Sequence, residues 1–193
     1  MSTLTHDTFW HGTTIGAAGV LQPWLHDHGS LTRRIQLRCH QFAVQPLRSS
    51  LARIAHDEAA LLGIRPHQLA YSREVFLHAD GKPVVFAHSA CAPRHLHGAW
   101  AALAGLGNRP LGAMLFTHPL VVRQPLRFKA LRAHHPLYQR AAAAGPMPHT
   151  LWARRSLFTL YGAPLLVTEV FLPSIAKLPN DPLPLAGGGS GRG

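Results

Sequence analysis

Acidic residues are scarce in this chain: eight aspartates and glutamates stand against nineteen lysines and arginines, a formal charge of +11. Cysteine is scarcer still. Cys39 and Cys91 are too few for a disulfide framework, so a reduced, cytoplasmic protein is the expectation. No run of eighteen apolar residues occurs, which predicts no membrane span. The opening Met1-Ser-Thr-Leu-Thr-His-Asp7 has no basic stretch leading into an apolar one, so no secretory signal is read there. A glycine-rich phosphate loop and a Gly-x-Ser-x-Gly elbow are both missing, which removes the main signatures of nucleotide binding and serine hydrolysis. There is no block of five or six basic residues and no basic motif interleaved with aromatics. The positive charge therefore points away from nucleic acid, and toward either a basic, soluble surface or a site that draws in a small anion.

Histidine is the exception to this economy, with fifteen. No His-Glu-x-x-His or Cys-x-x-Cys organises them, and the pairs His26/His28 and His95/His97 lack a third ligand nearby. Surface histidines are the simpler reading, and no metal is expected.

At 193 residues, with 47% hydrophobic and only 14% charged side chains, the chain has the composition of one folded domain. The boundaries read as 1–15 loosely ordered, 16–178 the domain, and 179–193 a disordered proline- and glycine-rich tail. Ala163-Pro-Leu-Leu-Val-Thr-Glu-Val-Phe-Leu-Pro173 is the strongest strand, apolar enough to be covered on both faces. Glu169 sits in its middle, sharing a face with Leu165, Val167 and Phe171. A carboxylate there needs a cation, a donor or a chemical task. Leu69–Ala90 is the clearest hairpin, two β-rich runs around Asp80-Gly81. Arg73 lies on its more apolar face with Tyr71, Val75 and Leu77, and is the cation Glu169 could answer to. A buried Arg73–Glu169 ion pair that only holds strand register is the plain structural alternative.

Elsewhere, 35–46 reads as a first strand, and 50–62 as a helix stopped by Gly63. Helix–turn–helix patterns cover 19–34 and 93–117. Leu120–Leu131 reads as a strand broken at Pro125, 135–144 as a helix, and Leu151–Tyr161 as a strand returning through Gly162. Hairpins without strand–helix–strand alternation predict an α+β fold, one antiparallel sheet with helices on one side.

Four blocks carry a resemblance: Ser30-Leu-Thr-Arg-Arg34, Arg73-Glu-Val-Phe-Leu-His-Ala-Asp-Gly-Lys-Pro83, Arg109-Pro-Leu-Gly-Ala-Met-Leu-Phe-Thr117, and Leu151-Trp-Ala-Arg-Arg-Ser156 with Gly162–Pro173. In this order they resemble the bacterial chorismate lyases, also called chorismate–pyruvate lyases or 4-hydroxybenzoate synthases, from about Trp24 to Pro173. The resemblance implies a single antiparallel sheet flanked by helices, with a buried site beneath two helix–turn–helix flaps near 19–36 and 94–117. It implies a cofactor-free, monomeric enzyme that splits chorismate into 4-hydroxybenzoate and pyruvate for ubiquinone synthesis. Ligand contacts would come from the side chains of Arg73 and Glu169 and from Leu31 and Leu111 through their backbone amides, with Arg73 and Glu169 catalytic. Two positions depart from the family pattern. Leu31 stands where methionine is familiar, and Ala87-His88-Ser89 where an arginine usually occupies the middle. A competing reading is a non-catalytic binder of small aromatic acids, since effector-binding domains of some transcription regulators share this fold. The lack of a DNA-binding domain ahead of residue 20 weighs against a full regulator. A basic interaction protein is a third.

Overall fold

Two tight turns organise the sheet. The computed structural model describes residues 9–184. In it, β2 (Leu69–Ala79) and β3 (Lys82–Cys91) meet at Asp80-Gly81, and β6 (Thr150–Leu160) and β7 (Ala163–Phe171) meet at Tyr161-Gly162. All four turn residues have positive φ (48°, 76°, 51° and 76°), the two-residue geometry whose twist matches that of the strands it joins. β3 and β7 pair with each other, so the hairpins lie side by side at the centre of the sheet. β1 (Phe42–Arg53) extends one edge. On the other side β6 carries both β4 (Val122–Arg123) and β5 (Arg127–Arg132), separated at Pro125, which has no N–H for a ladder. The order is β1-β2-β3-β7-β6-β4, with β5 also on β6, and every pairing is antiparallel. The α+β expectation of a single antiparallel sheet holds.

Three local expectations need correction. The first strand is 42–53 rather than 35–46, and the helix expected over 50–62 is only α3 (His56–Leu61). Residues 50–53 pair instead with Ser72 to Leu69 of β2, so sheet pairing outweighs their helical propensity. The helix expected from Pro93 is two 3-10 turns, Pro93–His97 and Ala101–Leu103, broken at Gly98, whose backbone leaves helical space. Trp100 and Leu103 are buried all the same.

Helices also cover both faces of the sheet, not one. On the front, α1 (Gln22–Leu25), α2 (Leu31–Gln36) and α4 (Leu111–Thr117) build two apolar clusters with β2, β3 and β7. On the back, α3 and α5 (Pro136–Ala141) pack on Phe86, Ala90, Leu166 and Val170. Residues of both expected loose ends take part in the fold. His11 bridges to Phe128, and Thr14 is buried against Gln22 and His26. The Leu183 amide donates to the Leu37 carbonyl, and Arg38 donates to that of Asn180. Residues 1–8 and 185–193 lie outside the described residues. No described helix is long and apolar enough to cross a membrane.

The back of the sheet holds a buried ionic cluster centred on His88, so the residue that departs from the family pattern points away from the front. Its Nδ1 lies 3.2 Å from Glu74 Oε1. Its Nε2 lies 3.3 Å from Glu58 Oε1, close enough for ionic attraction but not aligned for a hydrogen bond. Arg140 of α5 also pairs with Glu74. Burial alone would lower the His88 pKa, but Glu58, then Glu74, overcome it and raise it to about 9. Because the folded pKa exceeds the unfolded value near 6.5, protonated His88 stabilises the fold fully below pH 6.5. That contribution drains away as pH rises through 9. Denaturant titrations should therefore show wild type losing about 3 kcal/mol more than His88→Gln between pH 6.5 and pH 9.5, at ~1.4 kcal/mol per pKa unit. Parallel curves for the two proteins would contradict this.

Candidate active site

Beneath the flaps lies a cavity whose floor is drawn by strand alternation and register. Arg73 faces Ser89 and Val75 faces Ala87 across β2–β3. Ser89 then faces Val167, and Ala87 faces Glu169, across β3–β7. Glu169 faces Arg154, and Val167 faces Ser156, across β7–β6. Directly opposed residues share a face, so these side chains lie in two adjacent rows, and all of them line the cavity. Its roof comes from the start of α2 (Leu31, Thr32) and of α4 (Leu111, Gly112, Leu115). The two helices approach closely: a Cβ on Gly112 would sit 3.1 Å from both Ser30 Oγ and Thr32 Oγ1. Glycine there lets the flaps meet.

Arg73, Glu169, Leu31 and Leu111, widely separated in sequence, thus line one cavity. Leu31 and Leu111 are each the first residue of a short helix, where the amide has no acceptor within the helix. Arg73 is only 3% exposed. Its Nη2 donates to the carbonyls of Gly107 (2.9 Å) and Arg109 (3.0 Å), which ties the second flap to the sheet. Its Nε is buried with no partner. Burial pulls its pKa below the usual arginine value, and no carboxylate among the described residues pairs with it.

The expected Arg73–Glu169 pair does not form. Glu169 Oε2 accepts from Arg154 Nε at 2.6 Å instead. β3 lies between β2 and β7, and Arg73 is in the row of Val167 rather than of Glu169, which places the two backbones two strand spacings across and two residues along, about 12 Å apart. Arg154 stands directly opposite. This guanidinium is almost wholly buried, and its Nη1 donates to the carbonyls of Trp24 (2.9 Å), Leu25 (3.4 Å) and Asp27 (2.6 Å). Those groups close α1, so Arg154 caps the helix of the first flap while holding Glu169 from the side. Asp27 also accepts from the Gly29 amide and from Arg34. Against the cost of burial, these two partners keep its pKa below the usual aspartate value.

The cavity therefore presents a buried cation at one end, and a carboxylate braced by a second cation at the other. Apolar walls lie between them. That suits a flat, largely apolar acid with a polar group opposite its carboxylate. Among the described residues no three histidine, cysteine, aspartate or glutamate side chains gather as metal ligands. The sequence pattern of the chorismate lyase family matches residues 4–178. The chain belongs to that family. A relative from Nitrosospira multiformis, named "Probable chorismate pyruvate-lyase", is 52% identical over 171 residues, covering 88% of this chain and 95% of the relative. One of the same name from Aromatoleum aromaticum is 56% identical over 164 residues, covering 83% and 88%. Among solved structures, the PhnF C-terminal domain superposes with a TM-score of 0.54 at 17% identity, covering 74% of this chain and 88% of that one. That likeness speaks for the fold alone.

Within this lyase fold, sequence reasoning passed over Arg154 and a further cavity residue, Arg123. A signal for Arg154 was present. Once Tyr161-Gly162 is read as a two-residue turn, counting outward pairs 160 with 163 and so brings 154 opposite 169. No comparable signal marks Arg123, whose strand is two residues long.

Proposed function

We propose that this member of the chorismate lyase family converts chorismate to 4-hydroxybenzoate and pyruvate without a cofactor. The reaction is an internal elimination. The C4–H proton is lost, the C3–O bond breaks with its electron pair leaving on oxygen, and the ring becomes aromatic. The departing enolpyruvate takes up one proton on carbon to give pyruvate. Atoms and electrons balance without an oxidant, a reductant or water.

The residues divide the work by position. Arg73 receives the ring carboxylate on its planar fork, and the amides of Leu31 and Leu111 donate to the bound ligand. Glu169, two strands away, accepts from the C4 hydroxyl and fixes the ring's orientation. The flaps exclude water while enolpyruvate leaves. A monomeric enzyme is part of the proposal. Supply of the ubiquinone ring by a cytoplasmic enzyme belongs to the same proposal.

The observation that carries this reading is Arg73, an arginine buried to 3% exposure with no carboxylate partner among the described residues and an unpartnered Nε. Such a group calls for an anion. Purified protein given chorismate alone, with no metal or nucleotide added, should release equimolar pyruvate and 4-hydroxybenzoate. No pyruvate would overturn the proposal. Arg73→Met should weaken 4-hydroxybenzoate binding about 10- to 150-fold, the worth of a charge-assisted hydrogen bond, in calorimetric titrations. No buried carboxylate is orphaned, so the variant should still fold, with an unfolding midpoint lowered only by the loss of the donors to the Gly107 and Arg109 carbonyls. Unfolding of the variant would favour a purely structural arginine.

A further inference from the structure

We infer that Arg123 receives the second carboxylate of the substrate, the one on its enolpyruvyl arm, and so distinguishes substrate from product. This rests on the lyase reading of the cavity and extends it to a residue given no part so far. Arg123 reaches the cavity from the short β4. Its Nε donates to Ser156 Oγ at 2.9 Å, and its Nη1 to the His28 carbonyl at 2.8 Å. The guanidinium lies 5.4 Å from the ring centroids of both Phe116 and Phe158. It thus touches the first flap at His28, the second at Phe116 and the sheet at Ser156. No hydrogen bond engages Nη2, and no carboxylate pairs with it among the described residues.

Charge and geometry point the same way. The cavity is lined by three guanidiniums, those of Arg73, Arg123 and Arg154, against the single carboxylate of Glu169. Two positive charges remain uncompensated, matching a dianion rather than a monoanion. Arg154 is committed through Nε to Glu169 and through Nη1 to the flap carbonyls. Arg73 serves the ring carboxylate. The enolpyruvyl arm is attached at C3, next to the C4 hydroxyl that meets Glu169, so its carboxylate must fall at the Glu169 end. Across the sheet the aliphatic residues Val44, Val75 and Leu77 lie on β1 and β2, the side of Arg73, while the strands next to Glu169 on its other side, β6 and β4, bring Ser156 and Arg123 to the cavity. A carboxylate cannot be left against the aliphatic wall at tolerable cost, and the arm turns toward Arg123. When the C3–O bond breaks, the charge facing Arg123 departs with pyruvate, and 4-hydroxybenzoate stays on Arg73.

Two ligands test this by calorimetry on the full chain: 4-hydroxybenzoate, and a stable dianion carrying a carboxymethoxy arm at C3 of the same ring. Arg123→Gln should weaken the dianion about 10- to 150-fold, the loss of one charge-assisted contact. It should change 4-hydroxybenzoate affinity less than about threefold, and kcat/KM for chorismate should fall with the dianion. Arg123→Lys should recover dianion affinity to within about tenfold of wild type, its charge kept but its fork lost. If the glutamine variant does not fold, the lysine variant decides alone: a three- to tenfold loss, roughly, confined to the dianion. Equal losses for both ligands, an unchanged dianion affinity, or a lysine variant no better than glutamine would each overturn the inference. A wild type that binds the dianion through Arg123 but releases no pyruvate would defeat the lyase reading and leave Arg123 as a second carboxylate contact without the substrate–product role.

Discussion

Glu169→Gln should lower kcat for pyruvate release by about 10²–10⁴-fold, the span of a lost general base, while the folded protein and its hold on 4-hydroxybenzoate survive. Glutamine keeps an oxygen that can accept from both the C4 hydroxyl and Arg154 Nε, so the ring stays seated and the capped first flap stays closed. What disappears is the negative charge beside C4, where a proton must leave. Rapid-quench turnover, product calorimetry and a thermal melt on the same preparation separate these effects. A variant that turns over within about fivefold of wild type would place the proton transfer within the substrate, from C4 to the methylene of its own enolpyruvyl group. Glu169 would then be only an orienting acceptor. Loss of product binding in step with kcat would mean that the substitution disturbed the site rather than the chemistry.

Arg154→Met should cost about 3–5 kcal/mol of folding stability, the penalty for stripping one partner from a buried ion pair. Two orphans are made at once. The Glu169 side chain, 17% exposed, loses its counter-charge, and the carbonyls of Trp24 and Leu25 in α1 and of Asp27 just beyond it lose their donor. Urea midpoints give the size of the loss. The double variant Arg154→Met/Glu169→Met should recover part of it, since the stranded carboxylate is gone while the uncapped carbonyls remain. Equal midpoints for wild type and Arg154→Met would mean that the first flap is held by its apolar contacts alone. Full recovery in the double variant would mean that the carbonyl contacts count for nothing.

Both variants turn on a pairing the sequence carried in coded form. The turn at Tyr161-Gly162 sets the β6–β7 register, and the register sets Arg154 against Glu169. By contrast, the partner first considered, Arg73, is a cation on the correct face of the wrong strand. Alternation assigns a face correctly at any distance along a strand, but says nothing about which strands become neighbours. The helix expected over 50–62 failed for a related reason. Leu51-Ala52-Arg53 has a helical composition, and its partner in β2 lies beyond the reach of any local pattern. His88 shows the same divide on the back of the sheet, where Glu58, Glu74 and Arg140 come from three elements.

By itself the sequence determined the two central hairpins and which residues of each strand share a face, so that Arg73 lies with Tyr71, Val75 and Leu77, and Glu169 with Leu165, Val167 and Phe171. Those properties depend on backbone sterics within a few residues: positive φ at the turns and a two-residue repeat along the strands. Only the tertiary structure decided that β3 meets β7, that the two flaps close over one face, and that Arg123, from a two-residue strand, arrives between them. Contacts of that kind form when distant segments bury apolar surface together, and no stretch of chain short enough to have a pattern of its own contains both partners.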